Sequence, residues 1–169
     1  MRALRLVLDV AAGATVGLAL ASGEHMLPAE SSLRDLKHDL VSDKIRTVKV
    51  LFIPYEVVTR VRLTPELLER TAEINRVLEM DASMRSSLLE AIDRARVRES
   101  VSAPDIRWGA VFYGSDGTEL HSIYLSGKVF FRAGRRGIID GNPAKLNDAL
   151  IDWFEGTFGD LVSRPNAPR

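Results

Sequence analysis

Three histidines, His25, His38 and His121, and no cysteine set the chemistry open to this 169-residue chain. Without a thiol, thiolate catalysis, disulfides, iron–sulfur clusters and thiolate zinc sites are excluded. His25 lies in an irregular stretch and His38 on the polar side of a short helical pattern, so no two histidines share a face and no metal site is expected. His121 differs. It falls in a β-rich run whose alternation sets it beside Phe112 on the apolar face, where a buried imidazole with a lowered pKa could serve as a general base. The competing reading of His121 is a strand-end histidine bonded to backbone.

No nucleophile accompanies it. Gly114-Ser115-Asp116-Gly117 lacks the spacing of a nucleophile elbow and reads as a hairpin turn. Tyr124 and Lys128 are four apart, but Ser126-Gly127 breaks the helix face that such a pair would need. Gly127-Lys128 is not a phosphate loop, because Ser122 stands where its first glycine belongs. No acidic run has calcium-loop spacing, and no cofactor is expected.

Arginines form two sequence clusters. Arg132, Arg135 and Arg136 surround one expected turn, and Arg94, Arg96 and Arg98 follow a helix end. Guanidinium forks in either place could take a carboxylate or phosphate bidentately, although cations in a last helical turn also complement the dipole. Tyr55, Tyr113 and Tyr124 are candidate contact residues for a protein partner, if no helix covers the sheet face that carries Tyr113 and Tyr124. The candidate binding set is therefore Tyr113, Tyr124, Arg132, Arg135 and Arg136, with His121 the one candidate for catalysis.

The elements that must position these residues follow from periodicity. Leu33, Leu36 and Leu40 recur at helical spacing behind Ser32, with Asp35 in a capping-box position. Residues 45–53 read as a strand that is buried on both faces at its end. Thr64-Pro65-Glu66 is a helix start, Ile74 to Met80 a second strand, and Ser83 to Arg96 a helix with Met84, Leu88 and Ile92 inward. Val97 to Asp105 reads as a polar connection. Asp116-Gly117 between two β-rich runs predicts a two-residue hairpin that pairs Phe112 with His121, Ala110 with Ile123 and Trp108 with Leu125. That register sets Trp108, Ala110, Phe112, Ile123 and Leu125 on one face, and Val111, Tyr113, Leu120 and Tyr124 on the other. Ser126-Gly127 and Ala133 to Gly137 are further expected turns of a meander, and Asn142-Pro143 opens the expected last helix. Its expected stripe is Leu146, Ala149, Leu150 and Trp153, with Phe154 and Phe158 near the edge.

These elements predict a single α+β domain: a mostly antiparallel sheet ending in a β-meander, with helices packed on one face. Lys plus Arg equals Asp plus Glu at 23 each, so no net field favours nucleic acid or an anionic membrane. Arg2 and Arg5 precede an uncharged run, Val10 to Ala21, that ends in Ala19-Leu20-Ala21, the small-x-small pattern of a signal-peptidase site. Residues 1–21 read as a cleaved signal peptide, 22–31 as an exposed lead-in, 32–162 as the domain and 163–169 as a disordered tail. An extracytoplasmic protein, periplasmic or secreted, with no stable membrane span after cleavage is expected. The functional expectation is a non-catalytic binding domain acting on another protein as an inhibitor, an immunity-type partner or an envelope accessory. The alternative is a small extracytoplasmic hydrolase that uses His121 as base.

Overall fold

The computed structural model describes residues 26–54, 56–102, 104–126 and 135–163. Among these, the chain runs α1 (Pro28–Val41), β1 (Ile45–Phe52), α2 (Pro65–Thr71), β2 (Ile74–Glu79), α3 (Ala82–Arg94), β3 (Val97–Glu99), β4 (Ile106–Gly114), β5 (Glu119–Ser126), β6 (Arg135–Ile139), β7 (Asn142–Leu146) and α4 (Ala149–Ser163). All the strands join one sheet in the order β2-β1-β4-β5-β6-β7-β3, and every pairing is antiparallel. The expected α+β class and the meander from β4 to β7 are both present. β2 and β3 are consecutive strands at opposite edges, so α3 carries the chain from one edge of the sheet to the other.

The hairpin of β4 and β5 has the expected register, with Trp108 opposite Leu125, Ala110 opposite Ile123 and Phe112 opposite His121. Its turn is different. Gly117 has positive φ (78°) while Asp116 does not. The Gly114 carbonyl accepts from Gly117 N (3.1 Å), and Gly114 N donates to the Thr118 carbonyl (2.9 Å), closing a three-residue loop with a left-handed glycine at its end. The Asp116 carboxylate accepts from Thr118 N (3.0 Å), a side-chain turn contact that holds the loop closed. The register shifts between Phe112 and Tyr113 as a result. Leu120, expected beside Val111 and Tyr124, packs instead on the face that carries Phe112 and Ile123.

A two-residue turn with positive φ at both positions does occur, at Asp140-Gly141 (45° and 78°), where it sets Ile139 opposite Asn142. Asn142-Pro143 therefore begins β7 and does not open the last helix. Proline is tolerated there because β3 pairs only with Ala144 to Leu146, so no neighbouring strand needs the missing N–H. Gly137, expected in a turn, lies within β6 opposite Leu125 and Ala144. Residues 97–99, expected as connection, pair with β7 as a short edge strand. The expected turn at Ser126-Gly127 lies at the border of residues 127–134, which are outside the described residues.

Helix ends follow local chemistry where a cap exists. The Thr64 hydroxyl accepts from Leu67 N (3.3 Å) with Pro65 in the first turn, and the Asp81 carboxylate accepts from Met84 N (2.7 Å) to start α3. α1 begins at Pro28, four residues before the expected cap. Leu27 has no side-chain cap there, and Ser32 lies inside the helix, so residues 28–31 of the expected exposed lead-in are helical and Ala29 is buried. α4 ends at Ser163, the first residue of the expected tail; residues 1–21, expected as a signal peptide, and residues 164–169 lie outside the described residues.

Two cores result. The larger gathers α1, α3 and α4 on one sheet face around Val48, Val50, Phe52, Trp108, Ala110, Phe112, Ile123 and Leu125. Phe154 and Phe158 are centred in it and not at its edge: a chain of ring contacts runs Phe52–Trp108 (4.2 Å), Trp108–Phe154 (5.6 Å) and Phe154–Phe158 (5.9 Å). Each such pair adds ~0.5–1.5 kcal/mol beyond its area burial. The smaller core lies on the other face, where α2 covers Leu51, Val111 and Tyr124 through Leu67 and Leu68. Three helices thus share one face, and the short α2 takes the second.

Gly137 tests this packing. A Cβ there would stand 2.7 Å from the Tyr124 carbonyl and 2.9 Å from the Leu125 side chain. Gly137→Ala is expected to destabilise the domain by ~1–3 kcal/mol in urea unfolding monitored by tryptophan fluorescence. An unchanged midpoint would contradict the strand placement of Gly137.

Candidate functional site

His121 is 8% exposed, on the helix-covered face of β5 as the alternation predicts. Two carboxylates flank it. The ring donates from Nδ1 to Asp140 Oδ2 (2.9 Å) and from Nε2 to Asp39 Oδ2 (3.3 Å). Two acceptors require both ring N–H groups, so the contacts fit the imidazolium cation. Asp39 projects from the last turn of α1, held between the buried Leu36 and Leu40, and is also bound by Lys44 Nζ (2.7 Å).

Asp140 is positioned by its own turn. Asp and Asn tolerate the left-handed region better than other residues with a Cβ. Asp140 N donates to the Ser122 carbonyl (3.0 Å), as a ladder residue would. The return bond, from Ser122 N, goes to Asp140 Oδ1 (2.6 Å). The side chain thus stands in for the backbone carbonyl that the turn points elsewhere, and its second oxygen reaches His121.

Burial opposes charge on His121, but the hydrogen bond and charge of Asp140, joined by those of Asp39, outweigh it and raise the pKa above the ordinary histidine value. The hydrogen bond from Lys44, opposed by burial and reinforced by His121, holds Asp39 below the ordinary carboxylate range. The expectation of a histidine with lowered pKa is therefore overturned: Asp140 first, and then Asp39 from 82 residues away in sequence, reverse the effect of burial. A general base needs a neutral nitrogen with a free lone pair, and here both nitrogens are donors to carboxylates. Three surface clefts, of about 510, 330 and 190 Å³, are lined by other residues. The largest of these lies between α3 and α4, where Trp153 Nε1 donates to Ser87 Oγ (3.1 Å).

The other sequence candidates separate. Tyr124 is 5% exposed, and its hydroxyl donates to Glu69 Oε1 (3.1 Å) beneath α2, so it is not a surface aromatic. Burial first, then Glu69, raises its pKa. Tyr113 is half-buried against the same core, and burial raises its pKa. Arg135 and Arg136 are consecutive strand residues and point to opposite faces. Arg135 pairs with Asp148 at the start of α4, while Arg136 Nη1 donates to Ser102 Oγ (2.8 Å) on the other side. Arg94 lies 3.9 Å from Glu90 on α3. Arg132 and Tyr55 lie outside the described residues. Asp39, Glu69 and Lys44 carry no sequence signal for these contacts; the Asp140-Gly141 turn chemistry was the one clue to the partner of His121.

The His121 cluster makes stability pH-dependent. A raised histidine pKa contributes stability that is complete below the ordinary value of about 6.5 and is lost as pH rises through the folded-state value. The lowered Asp39 contributes stability above the ordinary carboxylate value that is lost as pH falls through its folded-state value. The melting temperature is thus expected to decline as pH rises from the ordinary histidine value of about 6.5 through the raised folded-state value, and His121→Gln to lose that decline while melting lower at about pH 6. A wild-type profile as flat as that of the variant would contradict the imidazolium assignment. No protein-family model, no curated protein and no solved structure matches this chain.

Proposed function

We propose that this chain is a non-catalytic, extracytoplasmic protein-binding domain of the inhibitor, immunity-type or envelope-accessory kind. The observation that carries the reading is the open ladder of β2. Met80 N donates to the Arg46 carbonyl (2.8 Å), and antiparallel alternation then assigns the hydrogen bonds to β1 to Ile74, Arg76 and Leu78. The backbone groups of Asn75, Val77 and Glu79 point away from the sheet. All three residues are exposed, Val77 at 62%. The Glu79 carbonyl accepts from Asp81 N (3.1 Å), which leaves the outward groups of Asn75 and Val77 in this six-residue edge strand to accept an extended segment of another protein as an added strand. Arg2, Arg5, the apolar run from Val10 and Ala19-Leu20-Ala21 support export. No helix among the described residues is long and apolar enough to cross a membrane. The hydrolase alternative is weaker because His121 lacks a free nitrogen.

A C-terminally tagged copy recovered from the envelope fraction of the native host is expected to begin at Ser22 by mass spectrometry and to bring one partner in near-equal amount. Val77→Pro removes an outward N–H that β1 does not use, so the variant is expected to keep its far-ultraviolet circular dichroism and lose the partner. A full-length N-terminus in the cytosol would overturn export, and undiminished capture by Val77→Pro would overturn strand addition.

A further inference from the structure

The sheet assembles a row of cations that no stretch of the sequence contains. Arg98 of β3 stands opposite Lys145 of β7, and Lys145 stands opposite Arg136 of β6. Ala144 and Leu146 point into the large core, so by alternation Lys145 and its two neighbours point to the other face. Strand spacing sets adjacent members about 5 Å apart and the ends about 10 Å apart. Like charges directly opposite one another destabilise a sheet. Among the described residues, no carboxylate pairs with any of the three, and Arg136 meets a neutral hydroxyl. Arg98 and Lys145 are exposed and Arg136 is half-exposed. α1, α3 and α4 lie on the opposite face, and α2 packs mainly on β1 and β4, with the small core reaching Ile138 of β6.

We propose that this row is a contact surface for an acidic segment of a protein partner, whose carboxylates relieve the repulsion of Arg98, Lys145 and Arg136. The proposal rests on the protein-binding reading but uses the edge of the sheet opposite β2. Guanidinium forks at the two ends suit carboxylates, which they bind bidentately, and the central ammonium acts as a point charge between them. Among the described residues the row has three cations, fewer than the other polyanions engage. Duplex-binding proteins neutralise about 6–10 phosphates, and polybasic lipid-binding segments use about 4–8 cations. The described part of the row includes no aromatic side chain on which single-stranded bases would stack. A short acidic segment is the class whose charge matches.

The test uses fluorescence anisotropy of a labelled peptide of alternating Glu and Thr against the full chain at low salt. A Lys–Thr peptide, a duplex oligonucleotide and phosphatidylserine vesicles serve as competitors. Binding of the Glu–Thr peptide is expected, weakening with added salt and at least about tenfold weaker in Lys145→Glu, the scale of one charge-assisted contact. Without any ligand, Lys145→Gln, which leaves the flanking arginines in place, is expected to raise the melting temperature at low salt. No peptide binding, or binding indifferent to Lys145→Glu, would overturn the proposal, as would a melting temperature unchanged or lowered in Lys145→Gln. Displacement of the peptide by duplex or vesicles at lower concentration than unlabelled peptide would overturn the partner class. If the native partner is retained by Lys145→Glu but lost by Val77→Pro, this inference fails while the strand-addition reading stands.

Discussion

The central strands β1, β4 and β5 meet apolar side chains on both faces, and their hydrogen-bond alternation constrains almost everything else. Val48, Val50 and Phe52 point into the large core while Leu51 points into the small one, and the same division separates Phe112 from Val111 and Ile123 from Tyr124. A slip of one residue would exchange the two sets and move the aromatic contact between Phe52 and Trp108 away from α4. Because the ladder is antiparallel throughout, its phase in the middle also dictates which backbone groups face outward at β2 and which cations align across β6, β7 and β3.

Charge is handled differently in the middle of this ladder and at its edge. Near the middle, His121, Asp39 and Asp140 form a nearly buried cluster in which each charge has a partner, and a fourth group, Lys44, balances Asp39. Breaking such a cluster is costlier than its net contribution to stability, because the remaining charges lose their counterpart. It links the last turn of α1, the middle of the sheet and the Asp140-Gly141 turn, elements far apart in sequence. At the far edge, the cations of the basic row meet no carboxylate among the described residues, and Arg98 and Lys145 are exposed. One arrangement completes the fold; the other leaves interaction capacity unused by it.

The same distinction orders the functional reading. His121 is the most perturbed histidine environment in the described structure, yet its perturbation comes from internal neutralisation and not from a poised lone pair. Strongly shifted groups mark structural ion pairs as well as catalytic sites. The features that face outward, an unpaired ladder and a line of like charges, are ones that another polypeptide could satisfy.

Local chemistry in the sequence determined a good deal. The Thr64-Pro65 start, the β1 strand, the leucine stripe of α1 and the register of β4 against β5 are short-range matters of capping, alternation and apolar spacing, and they appear as expected. Choices between two locally acceptable states were decided by tertiary structure. Asn142-Pro143 has the chemistry of a helix start, but pairing of residues 142–146 with β6 and β3 outweighs it. Three residues from Val97 are too few to announce a strand until β7 lies beside them. The sign of the His121 shift depends on Asp140 and Asp39 meeting at one ring, and the basic row depends on one arginine from each sequence cluster with Lys145 between them. Periodicity reports which face a residue occupies; which distant residue shares that face is set by strand order, and strand order is fixed only when the whole core closes.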